Sequence, residues 1–161
     1  QQQKLLSRFE HDLAIVEAMA RFMDAGVEMA QYWPARMKSY FCTLMKHKDN
    51  ALTDTGRMFS LMSRNTLARR VGTRGAPEGV YVFATASETN EEVRVLIVNR
   101  GKEPRPNLRL ELAGSPVRSM SVRVCAEDNP AGTVADAAAG PTPGSFSISL
   151  PARSYCLVSS R

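Results

Sequence analysis

A chain of 161 residues has room for one full domain, or for a small domain joined to a piece of another. Its 43% hydrophobic and 23% charged residues are an ordinary globular balance, and no apolar run approaches the ~20 residues that span a bilayer. The net charge of +5 is dispersed, with 9 basic and 7 acidic residues in 1–68 and 12 and 9 in 69–161. Without a basic cluster interleaved with aromatics, nucleic acid is excluded as the expected partner. The polar start Gln1-Gln2-Gln3-Lys4 is no signal peptide, so the expectation is a soluble protein with no membrane partner.

Residues 4–25 carry helical periodicity, with Leu5, Phe9, Leu13, Val16, Ala20 and Met23 at spacings of three and four. Ile15, Met19 and Phe22 widen that face, which predicts a helix with neighbours around much of its circumference. Glu10, Glu17 and Asp24 recur on what reads as its solvated side. Gly26 is the natural stop, because the left-handed conformation of a helix C′ residue carries no Cβ penalty. Val27 to Trp33 then reads as a mostly apolar strand, the pattern of a buried parallel strand, and Pro34 ends it. A lone helix–strand step of this kind cannot bury itself.

Tyr40 to Met45 fits either a short strand or a helical turn, and Lys46-His47-Lys48-Asp49-Asn50 is a polar turn. Thr53-Asp54-Thr55-Gly56 offers N-cap residues for a second helix with Met58, Phe59, Leu61 and Met62 on its apolar face, fading near Asn65 or Thr66. From residue 69 the period changes to two. Strands are expected at 80–85, 93–99, 108–112, 117–125, 146–150 and 155–158, separated by Gly, Pro and Asn turn signals that include Asn129-Pro130-Ala131-Gly132. Ala135 to Gly144 reads as a loop. The fold class is therefore α+β: two N-terminal helices with one orphan barrel-type strand, then an antiparallel β-sandwich of about six to eight strands.

Few residues are arranged for chemistry. There is no phosphate-cradling glycine loop, no nucleophile elbow and no pair of metal ligands on a helix, so neither metal nor cofactor is expected. Cys42, Cys125 and Cys156 lack metal-site spacing and read as buried thiols, with a Cys125–Cys156 disulfide left open. His11 and His47 have no partner at ligand spacing. Glu88, Glu91 and Glu92 fall in a turn and read as solvated. Trp33, the single tryptophan, stands beside Tyr32 at the expected C-terminal end of a parallel strand. In β/α barrels that end carries the active site, and aromatic faces stack on sugar rings. A core tryptophan closing the barrel floor or a domain seam is the equal alternative.

The order of these segments resembles a known family. A helix running into Ala25-Gly26-Val27-Glu28-Met29-Ala30-Gln31-Tyr32-Trp33-Pro34, a polar turn, Leu52-Thr53-Asp54-Thr55-Gly56, a second helix and a β-domain ending Leu150-Pro151-Ala152-Arg153-Ser154-Tyr155 is similar to the C-terminal end of retaining (β/α)8-barrel glycoside hydrolases, among them α-L-arabinofuranosidases and family-44-type endoglucanases. The resemblance implies that residues 1–68 are the last barrel α-β-α elements and 69–161 the C-terminal sandwich. It also implies that both catalytic glutamates lie upstream of Gln1, leaving only Trp33 and Tyr32 at positions that line the sugar-binding end.

Three functional readings follow. The chain is the C-terminal fragment of a glycoside hydrolase acting on plant or algal polysaccharide, inactive alone. Alternatively it is a non-catalytic carbohydrate-binding or protein-interaction module, or a separate chain supplies the remaining barrel strands. The wide apolar face of the first helix and the isolated strand predict either self-association or docking of that missing barrel portion.

Overall fold

In the computed structural model, residues 7–32, 35–38, 43–114, 117–142 and 144–160 are described. The chain divides into two units, Gln1–Arg64 and Asn65–Arg161.

In the first unit, helix α1 spans Arg8–Asp24 and helix α2 spans Asp54–Arg64. Ser7 caps α1 with a capping box: its Oγ accepts from the Glu10 amide at 3.2 Å, and the Glu10 carboxylate accepts from the Ser7 amide at 3.0 Å. The expected stop at Gly26 is present. Gly26 has φ +75°, its N–H donates to Met23 O at 3.2 Å, and the Val27 N–H donates to Phe22 O at 2.9 Å. These are the two bonds of a Schellman cap.

The buried stripe of α1 is Phe9, Asp12, Leu13, Val16, Glu17 and Ala20, a run of three- and four-residue steps. It is narrower than the sequence suggests: Ile15 and Met19 are half-buried and Phe22 is 48% exposed. It also corrects the placing of Glu17 on a solvated side. Glu17 is buried and accepts from Arg21 Nε at 2.8 Å, one helical turn on, so the guanidinium goes to the carboxylate rather than the carboxylate to water.

The segment expected as strand 27–33 forms no ladder over 27–32, and Trp33 lies outside the described residues. An apolar parallel strand is held by neighbours on both edges and both faces. Among the described residues nothing pairs with this one, and Met29 is 78% exposed.

Thr53 is the N-cap of α2. Its Oγ1 accepts from the Gly56 amide at 3.1 Å and donates to the Thr43 carbonyl, while its own amide donates to Leu44 O at 3.0 Å. An isolated bridge between Met45 and Leu52 closes the polar turn between them, which Asp49 tightens by accepting from the Ala51 amide at 3.0 Å. Of Tyr40 to Met45, residues 40–42 lie outside the described residues and 43–45 are irregular apart from that bridge. The helix start presses on the Leu44 peptide so closely that a Cβ on Gly56 would overlap the Leu44 carbonyl oxygen and lie 2.9 Å from its carbon.

The second unit is a two-sheet antiparallel sandwich. Its strands are β1 (Arg69–Val71), β2 (Val80–Ala86), β3 (Val93–Asn99), β4 (Arg105–Glu111), β5 (Met120–Ala126), β6 (Asn129–Asp136), β7 (Ala138–Ala139), β8 (Ser145–Leu150) and β9 (Ser154–Ser160). The six-stranded sheet runs β1-β2-β3-β9-β5-β6 and the three-stranded sheet β4-β8-β7. Between them lie Val95, Ile97, Val122, Cys156 and Val158 from the larger sheet and Phe146, Ile148 and Leu150 from β8. The alternate residues Phe83, Leu96, Val98, Tyr155 and Leu157 are buried too, so the middle of the larger sheet is apolar on both faces. That explains the unbroken apolar runs of β3 and β9.

Two expectations fail here. Asn129 to Gly132 is not the turn; the chain reverses at Glu127-Asp128, and Asn129–Asp136 is an edge strand paired with β5. The Ala-rich stretch is not all loop either. Ala137 donates its amide to Met120 O at 2.9 Å, and Ala138 and Ala139 pair with Ser147 and Phe146 of the other sheet. The chain crosses between sheets there, and small side chains let the backbone approach closely. Cys125 and Cys156 are free and buried. Cys125 stands opposite Tyr155 and Cys156 opposite Val124, so the two thiols leave opposite faces of the sheet and a disulfide is precluded. Burial pushes both thiol pKa values up, which removes thiolate reactivity.

At one end of β3, Asn99 is fully buried. Its Nδ2 donates to Glu103 O at 2.9 Å and Pro151 O at 2.8 Å, and its Oδ1 accepts from the Gly101 amide at 3.1 Å. Ser154 Oγ donates to the same Pro151 carbonyl at 2.7 Å, and the Arg153 amide donates to Gly101 O at 2.9 Å. The Leu-Pro-Ala-Arg-Ser sequence is thus a turn clamped to the β3 terminus.

Replacing Gly56 with alanine is expected to lower stability by about 1–3 kcal/mol, because overlap with a backbone carbonyl outweighs the gain in helix propensity. Gly72 has open space around its missing Cβ, so Gly72→Ala is the control, expected within about 0.5 kcal/mol of wild type. Urea midpoints of the two variants check this; equal midpoints would refute the packing argument.

Candidate functional site

The Schellman cap of α1 directs the chain out of the helix at Gly26, and the next described aromatic is Tyr32. Of the two residues expected to contact sugar, Tyr32 is the one whose surroundings are described. It is half-buried, with its ring centroid 4.8 Å from that of Phe59 on α2 and the planes tilted by 49°. A tilted pair at this separation is an attractive aromatic contact. One face of Tyr32 is therefore committed to holding the segment against α2.

After Tyr32 the chain passes through residues 35–38 and 43–53 before α2 begins. Arg36 Nη2 donates to His47 O at 2.6 Å and ties the two ends of this excursion together. Thr43, Thr53 and Thr55 are buried, and Thr53, bonded to the Thr43 carbonyl and the Gly56 amide, sets where α2 starts. Thr55 Oγ1 donates to Asp12 Oδ1 at 2.7 Å across the helix pair.

Asp12 is 2% exposed, and burial raises its pKa above the ordinary carboxylate value. The Thr55 hydrogen bond, His11 and Arg8 oppose that rise without cancelling it. Reading the sequence by apolar spacing alone missed Asp12. The signal was present, since Asp12 sits three residues after Phe9 and four before Val16, inside the buried stripe.

The other carboxylates with described contacts have structural duties. Glu10 completes the α1 cap, Glu17 binds Arg21, Asp54 binds Arg57 and Glu111 meets Arg109 at 2.7 Å. In the β2–β3 turn, Thr89 donates to Glu91 at 3.0 Å, and Glu92 O accepts from the Ser87 amide at 3.0 Å. Among the described residues no group of three or more His, Cys, Asp or Glu side chains is placed to hold a metal ion, and no helix is long and apolar enough to cross a membrane.

If the Tyr32–Phe59 contact seats this segment, a double-mutant cycle with Tyr32→Leu and Phe59→Leu will return a coupling of about 0.5–1.5 kcal/mol in unfolding free energy. Additive effects would refute the pairing.

No protein-family model and no curated protein matches this chain. Solved structures do. The chain is similar to the glycoside hydrolase family 30 subfamily 8 xylanase Xyn30A from Clostridium acetobutylicum, with TM-score 0.76 and 21% identity over 99% of this chain and 41% of that one. It is similar to the arabinose-bound family 51 α-L-arabinofuranosidase MgGH51, with TM-score 0.73 and 13% identity over 94% of this chain and 27% of that one. A family 44 xyloglucanase from Paenibacillus polymyxa matches with TM-score 0.68 and 14% identity, over 94% of this chain and 30% of that one. The chain spans less than half the length of each. Its fold is that of a part of family 30, 51 and 44 glycoside hydrolases; the order of its sequence segments led one to expect the arabinofuranosidases and the family 44 enzymes, and family 30 is added by the structures.

Proposed function

We propose that this chain is the C-terminal part of a glycoside hydrolase acting on plant or algal polysaccharide. Residues 1–68 are the last barrel elements, and 69–161 the sandwich that accompanies the barrel. The general acid and the nucleophile that glycoside hydrolysis requires lie on the remaining barrel, so the chain by itself is inactive. Trp33, and with it Tyr32, is assigned to binding the sugar. The observation that carries this reading is the fold match, which takes in nearly the whole chain and only a part of three differently specialised glycosidases.

Surface chemistry supports it. Phe22, Val27 and Met29, at the end of α1 and just beyond, are 48%, 44% and 78% exposed. Apolar side chains concentrated in one short stretch call for cover. A free-standing carbohydrate-binding module displays aromatic faces, whereas Phe83, Phe146 and Tyr155 of the sandwich are buried and Tyr81 is half-buried. The missing barrel portion is therefore the favoured partner of the helical unit, and carbohydrate the ligand of the assembled protein.

The isolated 161 residues are expected to release no reducing sugar from xylan, arabinan or xyloglucan. A protein extended through the coding sequence upstream of Gln1 is expected to do so, with Trp33→Ala raising KM. Robust turnover by the isolated chain sinks the proposal.

The isolated chain is also expected to self-associate through its uncovered apolar residues. Light scattering at high concentration would show oligomers that the triple variant Phe22→Ser, Val27→Ser, Met29→Ser loses. A clean wild-type monomer counts against the role given to these residues.

A further inference from the structure

Two carboxylates are buried along α1, and they are handled differently. Glu17 accepts two bonds from the Arg21 guanidinium, from Nε and Nη2, each at 2.8 Å. Asp12 instead accepts from the hydroxyl of Thr55, a residue with no exposed surface, at 2.7 Å. Among the described residues the charged or titratable groups acting on Asp12 are His11, whose Nδ1 lies 3.7 Å away, and Arg8; both are on α1. From α2 the contribution is the Thr55 hydroxyl. A hydroxyl donor satisfies one acceptor position of a carboxyl group but neutralises no charge.

This contact bridges two helices at the start of α2, where Thr53 caps and Gly56 presses on Leu44. Whatever alters the free energy of the Asp12 carboxyl therefore acts on the joint between α1 and α2. A neutral carboxyl keeps the Thr55 bond at little desolvation cost, while an ionised one places a charge in a site 2% exposed.

We propose that the buried Asp12 carboxyl is a proton-operated latch on the joint between the two helices, closed when it is protonated and loosened when its charge must be hydrated; the Thr55 hydrogen bond, which favours the ionised form, opposes that loosening without cancelling it. The direction follows from linkage. Burial raises the Asp12 pKa in the folded state above the 3.8 of a free aspartate, so the folded state binds the proton more tightly than the unfolded state. The resulting stability is complete below pH 3.8 and is lost as pH rises through the folded-state value. This is the reverse of a salt-bridged aspartate, which weakens a protein in acid.

The test is amide hydrogen exchange of α2 residues Met58 to Met62 in the 161-residue chain from pH 4 to 8, expressed as protection factors. The ratio of Asp12→Asn to wild-type protection should rise about tenfold per pH unit through the window, because one proton is taken up there. The asparagine Oδ1 still accepts from Thr55, so the variant keeps the joint without the charge. A constant ratio overturns the proposal. Should the variant not fold, a carbon-13 titration of the wild-type Asp12 carboxyl decides. A midpoint above 3.8 with α2 amide shifts following it supports the latch; a midpoint at or below 3.8, or α2 shifts that do not follow, overturns it.

Discussion

Strands β3 and β9 run side by side with Val95 opposite Val158, Leu96 opposite Leu157, Ile97 opposite Cys156 and Val98 opposite Tyr155. Every one of these side chains is buried, on one face of the sheet or the other. A strand with one apolar face has its register set by that face, because a slip of one residue exchanges inside and outside. Here both faces are apolar, so hydrophobicity alone leaves the register open. The ends close it. Asn99, itself with no exposed surface, engages Gly101, Glu103 and Pro151, and at the other end Ser160 Oγ accepts from the Val93 amide at 2.8 Å. A slip would strand the buried Asn99 amide without partners, at a cost of about 1–3 kcal/mol.

The helical unit depends on a similar division. Apolar residues choose the faces of α1 and α2, while buried hydroxyls choose how the helix start is seated. Thr53 caps α2 and reaches Thr43, Gly56 allows the Leu44 peptide to approach, and Thr55 reaches Asp12. The short sequence Leu52-Thr53-Asp54-Thr55-Gly56 thus carries a different contact at each of several successive positions. That accounts for its value in recognising the fold from sequence, since these contacts demand particular side chains where a packed face tolerates many.

Much of the sandwich was legible because each of six strands pairs an alternating or continuous apolar run with a nearby turn signal. What escaped reading was β1, β6 and β7. Asn129-Pro130-Ala131-Gly132 has turn composition, yet it lies at a bulged edge strand where proline and glycine are tolerated. Ala138 and Ala139 have no pattern to read, and only their pairing with β8 makes them a strand. On α1 the periodicity located the buried stripe but not its chemistry. Glu17 and Asp12 share that stripe, and whether a carboxylate is tolerated there depends on Arg21 and Thr55. The candidate site was legible only as a place in the chain: Tyr32 has one ring face taken by Phe59, which no local pattern announces.

Sequence by itself determined where the helices stop, which segments alternate, and the order of segments that matches a part of the glycosidase fold. Those properties are local, set by glycine conformation, capping residues and apolar spacing within a few residues. Tertiary structure decided which carboxylates are buried, which face of Tyr32 is occupied, that two cysteines on paired strands leave opposite faces, and how β3 and β9 are held in register. Each of these depends on residues brought together from distant positions, such as Asp12 with Thr55 and Asn99 with Pro151. No pattern along the chain encodes such a meeting, because its free energy exists only once both elements are in place.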